Sequence, residues 1–539
     1  MSVVRVRFEP GGLVAEVAPG TTLHAAAAEA GVGLTAPCGG MGRCGSCRVR
    51  VSGAVRPPDR SEIEALGAAA HAGTRLACRA RVDGPGEVVV EVPAQAGAVR
   101  AQVSGVGAEP KVEPPAARGV FASPGVVALG AAVDLGTTTI AVRLHDLSDG
   151  RVLGEITDLN PQAAWGHDVL SRVSRALEGD AGALRDVVTH AIEDLVLALT
   201  NTPKAASGTL REVVVVGNPA MIRLFAGEDV SMLGDGASPG VDRPTRVSEA
   251  WAADLHRLGD ARVVVGPEVS AFIGADAVAA LLATALDGRD DDTLLIDLGT
   301  NGEVVLASAG KLYAASAAAG PAFEAYGLSS GMRAESGAIE AVWLDGDILG
   351  VRTIGDESPR GLCGSGLVDL LAVLLATGAL DATGRLQPEG PLAARVGETA
   401  AGRVFEVASD VLLTQQDVRQ AQLAKGAVQA AIETVLEVAG RPTSGVAEIM
   451  VAGGFGSHLR PASLAAIGVV PAEWTERITL AGNAALAGAS AMLLSSDART
   501  EADLLAAHVR TVPLAGRPDF RERFVAALGF PEADEQGRG

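Results

Sequence analysis

Aromatic side chains are scarce in this 539-residue chain: 3% of residues, with four tryptophans and two tyrosines. Stacking of nucleobases on protein rings is therefore poorly supplied. Basic residues are also in deficit, 44 lysines and arginines against 65 acids for a net charge of −21. No concentrated basic face emerges, which argues against a nucleic-acid partner. No stretch offers ~18 uninterrupted apolar residues for a membrane span. The opening "MSVVRVRFEPGG" alternates arginine with valine and lacks the apolar core of a signal peptide. These features predict a soluble, cytoplasmic protein with no membrane partner. The G-x-x-x-x-G-K-[ST] loop is missing too, since "GLCGSGLVDL" carries no lysine, and the P-loop class is excluded. Cysteine occurs five times. In a reducing compartment such thiols stay free or bind metal.

Four of the five cysteines form a pattern. Cys38, Cys44, Cys47 and Cys78 are spaced C-x5-C-x2-C-x30-C. They follow two alternating runs, "VVRVRF" and "LVAEVA", that read as a hairpin about Gly11-Gly12, and a short helix "TLHAAAAEAG". Three thiolates on one tight loop and a fourth from a distant segment can encircle two irons, whereas zinc knuckles more often come as two C-x2-C pairs. Gly39, Gly40, Gly42 and Gly45 let successive N–H groups turn toward the sulfurs. The spacing favours a [2Fe-2S] cluster over a structural zinc ion or four unrelated thiols. Arg43, Arg48, Arg75 and Arg79 flank the cysteines and read individually as solvated surface.

At the usual ~100–200 residues per domain the chain holds three or four units. We divide it into residues 1–93, the cysteine-bearing domain; 94–130, an Ala-, Gly- and Pro-rich linker; 131–285 and 286–495, two related lobes; and 496–539, a charged tail of a helix or two with a frayed end. The lobes are visible as a duplication. "AAVDLGTTTIAVRL" returns as "LLIDLGTNGEVVLA", with Asp134 and Asp297 163 residues apart. "EVVVVGNPAM" is echoed by "EIMVAGGFGS", and "GADAVAALLAT" by "GNAALAGASAMLL". The second echo lies more than 230 residues on, so the second lobe carries an insertion, placed within 310–410.

A turn of glycine and threonine presents N–H and hydroxyl donors to phosphate oxygens, and an aspartate at the strand end can hold magnesium through water. One such turn is ordinary turn chemistry; two, with the glycines of "VAGGFG" to admit an adenosine, point to a nucleotide. Asp134 and Asp297 are the candidate metal- and phosphate-positioning groups. Glu324, in "GPAFEAYG", either orients a water or caps a helix. Cys363 reads as a small buried residue, and His458 has no ligand spacing. Glu335 and Ser336 form a polar pair that could face a partner.

Residues 1–93 resemble plant-type and adrenodoxin-type [2Fe-2S] ferredoxins, the five-residue first gap being nearer the latter. Residues 131–495 resemble the acetate kinase, Hsp70 and actin superfamily. More narrowly, "DLGTTT", "IDLGTNGEV", "AAGPAFEAYGLSSGMRA", "GLCGSGLVDLL", "AGGFGSHL" and "GNAALAGA" behind a ferredoxin look like the reductive activators of corrinoid proteins. The resemblance implies a multidomain α+β and α/β chain, a β-grasp ferredoxin-like domain followed by a duplicated ribonuclease H-like, actin-like ATPase. It implies a [2Fe-2S] cluster on Cys38, Cys44, Cys47 and Cys78, with ATP and Mg2+ bound by Asp134, Gly136, Thr137, Thr138, Asp297, Gly299, Thr300, Asn301, Gly453 and Gly454. Its partners would be a corrinoid protein of a methyltransferase system, an upstream electron donor and, in a homodimer, a second copy. The activity implied is reduction of Co(II) to Co(I) with ATP. Asp134 follows Cys78, the last of the cluster cysteines, by only about 55 residues, so a small domain between linker and ATPase is expected to be missing. Three alternatives stand beside this reading: a ferredoxin-fused small-molecule kinase, a nucleotide-switched electron carrier without turnover, and a radical-dehydratase activator. The last needs cluster cysteines in the ATPase lobes, where only Cys363 is available.

The cysteine pattern predicts two irons per chain after anaerobic purification and a rhombic electron paramagnetic resonance signal on reduction. Cys44→Ser is expected to lose most of the iron and Cys363→Ser to retain it; equal loss in both would refute the ligand assignment.

Overall fold

The computed structural model describes residues 3–9, 12–30, 32, 47–66, 70, 73–84, 86–92, 127–166, 168–205, 208–234, 243–399, 402–454 and 459–532. Cys38, Cys44, Arg43, His458 and the linker up to residue 126 lie outside them.

The first domain is a five-stranded mixed sheet. Its strands are β1 (Val4–Glu9), β2 (Leu13–Val17), β3 (Arg48–Ser52), β4 (Thr74–Leu76) and β5 (Glu87–Glu91), ordered β2-β1-β5-β3-β4. β1 and β5 run parallel and the other neighbours antiparallel. Alternation of buried and open residues along β1 and β5 gives the sheet one apolar face. Onto it pack α1 (Leu23–Glu29), through Leu23 and Ala26, and the segment carrying Leu76 and Ala80. Cys47 and Cys78 belong to the same buried cluster. Beside it, α2 (Arg60–Leu66) supplies Glu62, whose carboxylate receives both Arg75 Nε and Nη2, at 3.0 and 2.7 Å, and the Leu76 amide. Arg75 is thus buried and paired rather than solvated, because its guanidinium anchors the strand leading to Cys78. Arg79 pairs with Asp59 at half-exposed positions, and Arg48 is open to solvent.

The two lobes repeat one architecture. In the first, β6 (Val127–Leu135), β7 (Thr139–Asp146) and β8 (Val152–Leu159) form an antiparallel meander, and β9 (Gly208–Gly217), β10 (Arg246–Glu249) and β11 (Arg262–Val265) complete a sheet ordered β10-β11-β9-β6-β7-β8. β9 is parallel to β6, and β11 to β9. In the second, β12 (Thr293–Leu298), β13 (Gly302–Ser308) and β14 (Lys311–Ala317) repeat the meander. β21 (Glu448–Ala452) and β22 (Ile478–Gly482) then add in parallel. The second sheet is therefore the first one again, ending on the far edge with β23 (Val509–Thr511). The intervening strands β15 (Ala338–Asp345), β16 (Ile348–Thr353), β17 (Gly361–Leu362), β18 (Val396–Thr399), β19 (Gly402–Ala408) and β20 (Val411–Thr414) make two small sheets. They lie largely in the range 310–410 expected for an insertion, with β20 just past it and ending at Thr414.

Helices cover both faces. The first lobe has α3 (Val169–Arg175), α4 (Ala181–Thr200), α5 (Pro219–Ala226), α6 (Ser231–Gly234) and α7 (Ala275–Thr284). The second has α8 (Gly364–Thr377), α9 (Gln415–Ala439), α10 (Pro461–Ala466), α11 (Ala484–Leu494), α12 (Ser496–His508) and α13 (Pro518–Ala526). Each lobe has its own core, and a third core joins residues of both, including Val214, Val278 and Ile273 with Leu295, Leu486 and Met492. At its centre the small-residue helices α7 and α11 lie against each other. The tail is part of this structure: β23 pairs with β14, and Gln422 of α9 donates to the Leu528 carbonyl at 2.8 Å. Apolar positions such as Leu505 and Phe530 hold it down, so only residues beyond 532 fall outside the described chain. Among the described residues no helix is long and apolar enough to cross a membrane.

A methyl group added at Gly488 would run into the Ala279 carbonyl across the α7–α11 contact. Gly488→Ala is expected to destabilise the lobes by about 1–3 kcal/mol. Gly182→Ala, in α4 where nothing lies within 4 Å of the new atom, is expected to be neutral or mildly stabilising. Paired urea melts check the contrast.

Candidate nucleotide and cluster sites

The strand order puts the β6–β7 turn of one lobe against the β12–β13 turn of the other. Gly136, Thr137 and Thr138 form the first turn, and Gly299, Thr300 and Asn301 the second. The Thr138 and Thr300 hydroxyls meet at 2.7 Å. Thr137 Oγ1 accepts from Asn218 Nδ2 at 2.9 Å, and the Gly136 carbonyl accepts from Asn160 Nδ2 at 2.9 Å. Asn218 also caps α5, and Asn160 is fully buried, so the first turn is held by two fixed amides. The duplication extends to close approaches: a Cβ on Gly217 would lie 2.6 Å from the Leu135 carbonyl oxygen, and one on Gly453 2.6 Å from that of Leu298. Gly453 also has φ +135°, a backbone state that other residues rarely adopt, while the space beside Gly454 is open.

Around these turns stand five carboxylates. Asp134 ends β6, Asp297 ends β12, Glu303 lies opposite Asp297 in register, Asp276 opens α7 and Glu324 follows Phe323 in a short 3-10 turn. Each keeps some residue surface open, yet its carboxyl group is hemmed in by protein. Desolvation raises Asp297 to about 8, with the charges of Asp134, Asp276 and Glu324 pushing the same way. Burial and the Asp134 charge raise Asp276 to about 7, a backbone bond from Ala277 holding it back. Burial brings Asp134 to about 6 against the stabilising bond from Asn483 Nδ2 at 3.0 Å. Glu303 and Glu324 are raised for the same first reason. Glu324 caps no helix N-terminus: it is the last residue of its turn, and its Oε1 accepts from the Thr300 hydroxyl at 2.8 Å. Among the described residues no three of His, Cys, Asp or Glu converge closely enough to hold a metal ion directly.

Sequence reasoning missed Asp276, Glu303, Asn160, Asn218 and Asn483. Asp276 and Asn483 were visible in the echoed helices "GADAVA" and "GNAALA", but their meeting with Asp134 depends on the packing of α7 against α11. Cys363 is buried at the start of α8, its Sγ donating to the Ile339 carbonyl at 3.3 Å, as a small packed residue. Glu335 and Ser336 lie in a turn that Arg333 and Arg360 tie down.

In the first domain Cys47 and Cys78 are buried, are not joined by a disulfide, and bring their sulfurs to 3.2 Å. The Cys47 carbonyl accepts from the Ala77 amide at 2.9 Å, which locks the two segments together. Two thiols this close in an apolar core can face one metal centre.

Fold and sites define a class: an iron-sulfur ferredoxin domain fused to an actin-like ATPase. Residues 6–83 match the 2Fe-2S iron-sulfur cluster binding domain, residues 129–289 the RACo middle region, and residues 291–537 the C-terminal domain of RACo, the ASKHA domain. The corrinoid activation enzyme RamQ of Eubacterium limosum is 32% identical over 74% of this chain and 70% of its own. The [Co(II) methylated amine-specific corrinoid protein] reductase of Methanosarcina barkeri is 26% identical over 68% and 70%. A solved reductive activator for corrinoid, iron-sulfur protein superposes with a TM-score of 0.72 at 27% identity, covering 98% of this chain and 99% of that one. The chain belongs to the RACo family. The family's middle region matches residues 129–289, which are the first lobe of this structure.

Acids whose pKa is raised on folding bind more protons in the folded state, so stability falls as pH rises from about 4, where the unfolded acids titrate, to about 8, where Asp297 does. Thermal melts of the nucleotide-free protein are expected to show this fall. Asp297→Asn is expected to flatten it and to raise the midpoint at pH 8.5 by at least about 2 °C. An unchanged pH profile in the variant would contradict the crowding.

Proposed function

We propose that the protein uses ATP to deliver one electron to the Co(II) of a corrinoid protein, returning it to the Co(I) state needed for methyl transfer. The observation that carries the reading is the junction of Thr138 with Thr300, which makes one site from turns of two lobes, in a chain whose first domain buries paired thiols. Its relatives, named as a corrinoid activation enzyme and a Co(II) corrinoid protein reductase, point the same way.

In this reading the amides and hydroxyls of Gly136, Thr137, Thr138, Gly299, Thr300 and Asn301 bind the phosphates. Gly453 and Gly454 admit the adenosine. Asp134 and Asp297 act on Mg2+ through its water shell, since crowded carboxylates favour a nearby cation. Glu324, positioned by Thr300 and raised by burial above the usual carboxylate range, orients the attacking water and takes its proton. Cys38, Cys44, Cys47 and Cys78 would hold the [2Fe-2S] cluster, which supplies one-electron transfer when bound. An upstream donor re-reduces the protein, and the cytoplasm keeps its thiols from pairing.

The energetic reason for ATP is an uphill electron. Clusters of this kind sit near about −400 mV, and an acceptor about 100 mV lower opposes transfer by about 2.3 kcal/mol. Nucleotide held between two lobes favours their closed arrangement and so can alter how the partner is bound.

Reduced protein mixed with a Co(II) corrinoid protein is expected to yield the Co(I) absorption band with Mg2+ and ATP only. Asp134→Ala and Asp297→Ala are each expected to cut ATP hydrolysis at least ~100-fold with the iron-sulfur spectrum intact. Equal Co(I) without ATP would leave a plain electron carrier, and phosphorylation of an organic acceptor without Co(I) would move the protein to the kinases.

A further inference from the structure

Three arginines are buried among the described residues: Arg75, Arg172 and Arg223. Arg75 pairs with Glu62 and Arg223 with Glu268. Arg172, in α3 and 0% exposed, has no carboxylate at ion-pair distance among the described residues. Its Nε donates to the Gly166 carbonyl at 3.0 Å, and its Nη1 to Gln162 Oε1 at 3.3 Å and Met221 Sδ at 3.2 Å. Burial brings it down to about 10, with Tyr326, Asp168 and Glu324 partly offsetting the loss through space. A buried cation without a partner is retained at a cost to stability, and apolar replacements of buried charges are often tolerated.

The surroundings of Arg172 indicate what the charge is for. Asn160 Nδ2 bonds the Gly136 carbonyl and also reaches Gln162 Oε1, at 3.4 Å, and Met221 Sδ, at 3.6 Å, the two atoms that receive Arg172 Nη1. Met221 N is fixed by Asn218, whose amide holds the Thr137 hydroxyl. The guanidinium thus stands directly behind the β6–β7 turn, linked to it by two routes. Two of its three through-space neighbours, Tyr326 and Glu324, come from the other lobe. Glu324, one of the five carboxylates of the centre, acts through space on the Arg172 charge.

We infer that Arg172 is the protein's own counter-charge for the polyphosphate, held behind the first turn with no carboxylate partner among the described residues and compensated when phosphates occupy that turn. It is a positioning residue: the turn touches the ligand, and Arg172 acts on it through Gln162 and Asn160 and through space. Its contribution therefore grows with the number of phosphates on the ligand. The inference rests on the nucleotide reading above, and extends it.

The test is equilibrium binding of adenosine, ADP and ATP, the nucleotides with Mg2+, to the full chain and to Arg172→Met, with thermal melts of the ligand-free proteins. The variant is expected to melt no lower than the parent, to bind adenosine within about twofold, to lose about 5-fold for ADP, and to lose at least about 30-fold for ATP. Arg172→Lys is expected to recover most of the ATP loss. An equal loss for all three ligands, or a lower melting point with an unchanged ATP-to-ADP ratio, would overturn the inference. Should Arg172→Met fail to fold, Arg172→Gln, which keeps amide donors without the charge, is read by the same ratios. A parent chain that binds no nucleotide would refute the nucleotide reading instead.

Discussion

Like charge gathered at the facing ends of two sheets is the constraint around which the rest of the molecule is arranged. In surroundings that already disfavour ionisation, the charge of Asp134 raises Asp276, Asp297 and Glu324, and those of Asp276 and Asp297 raise Glu303. Such crowding is unfavourable in the empty protein and becomes favourable only beside a cation. The threonine turns answer the other half of the ligand, because their donors suit phosphate oxygens. Neither lobe alone has the set: the hydroxyl junction and the Asn483 bond to Asp134 both cross between them.

Crossing contacts of this kind require lobes that meet in a defined way. The small side chains of α7 and α11 allow that, since close helix approach lets one core run through both lobes. The ends of β6 and β12 therefore stay in register while the outer edges carry what differs. The insertion folds into two separate small sheets, and β23 of the C-terminal segment closes the β14 edge of the second sheet. In the first domain the same logic works on a smaller scale. The Arg75–Glu62 pair and the backbone bond between Cys47 and Ala77 hold two distant sulfurs together.

Much of this was legible in the sequence because duplication multiplies weak signals. "DLGTTT" alone is turn chemistry, but its echo, followed in order by the two further echoes, specifies two copies of one sheet. The cysteine spacing was legible because ligand chemistry constrains it. What escaped was whatever depends on packing between segments far apart in sequence. Asn160, Asn218 and Arg172 carry no motif, and only the return of β8 and β9 beside β6 and β7 brings them behind the first turn. Arg75 looked like surface because an arginine near a cluster usually is; Glu62, thirteen residues earlier, makes it an anchor. The tail reads as a helix or two, and α12 and α13 stand there; that Leu505 and Phe530 dock it into the cores carried no signal of its own.

The direct test of the carboxylate account is a proton count on nucleotide binding. Calorimetric titration at pH 7 in two buffers of different ionisation enthalpy gives the protons exchanged, first with preformed magnesium–ATP and then with ATP in EDTA. With Asp276 near 7 and Asp297 near 8 before binding, a cation set beside them promotes ionisation, and the account predicts about one more proton released with magnesium–ATP than with metal-free ATP. Equal proton counts for the two ligands would contradict it.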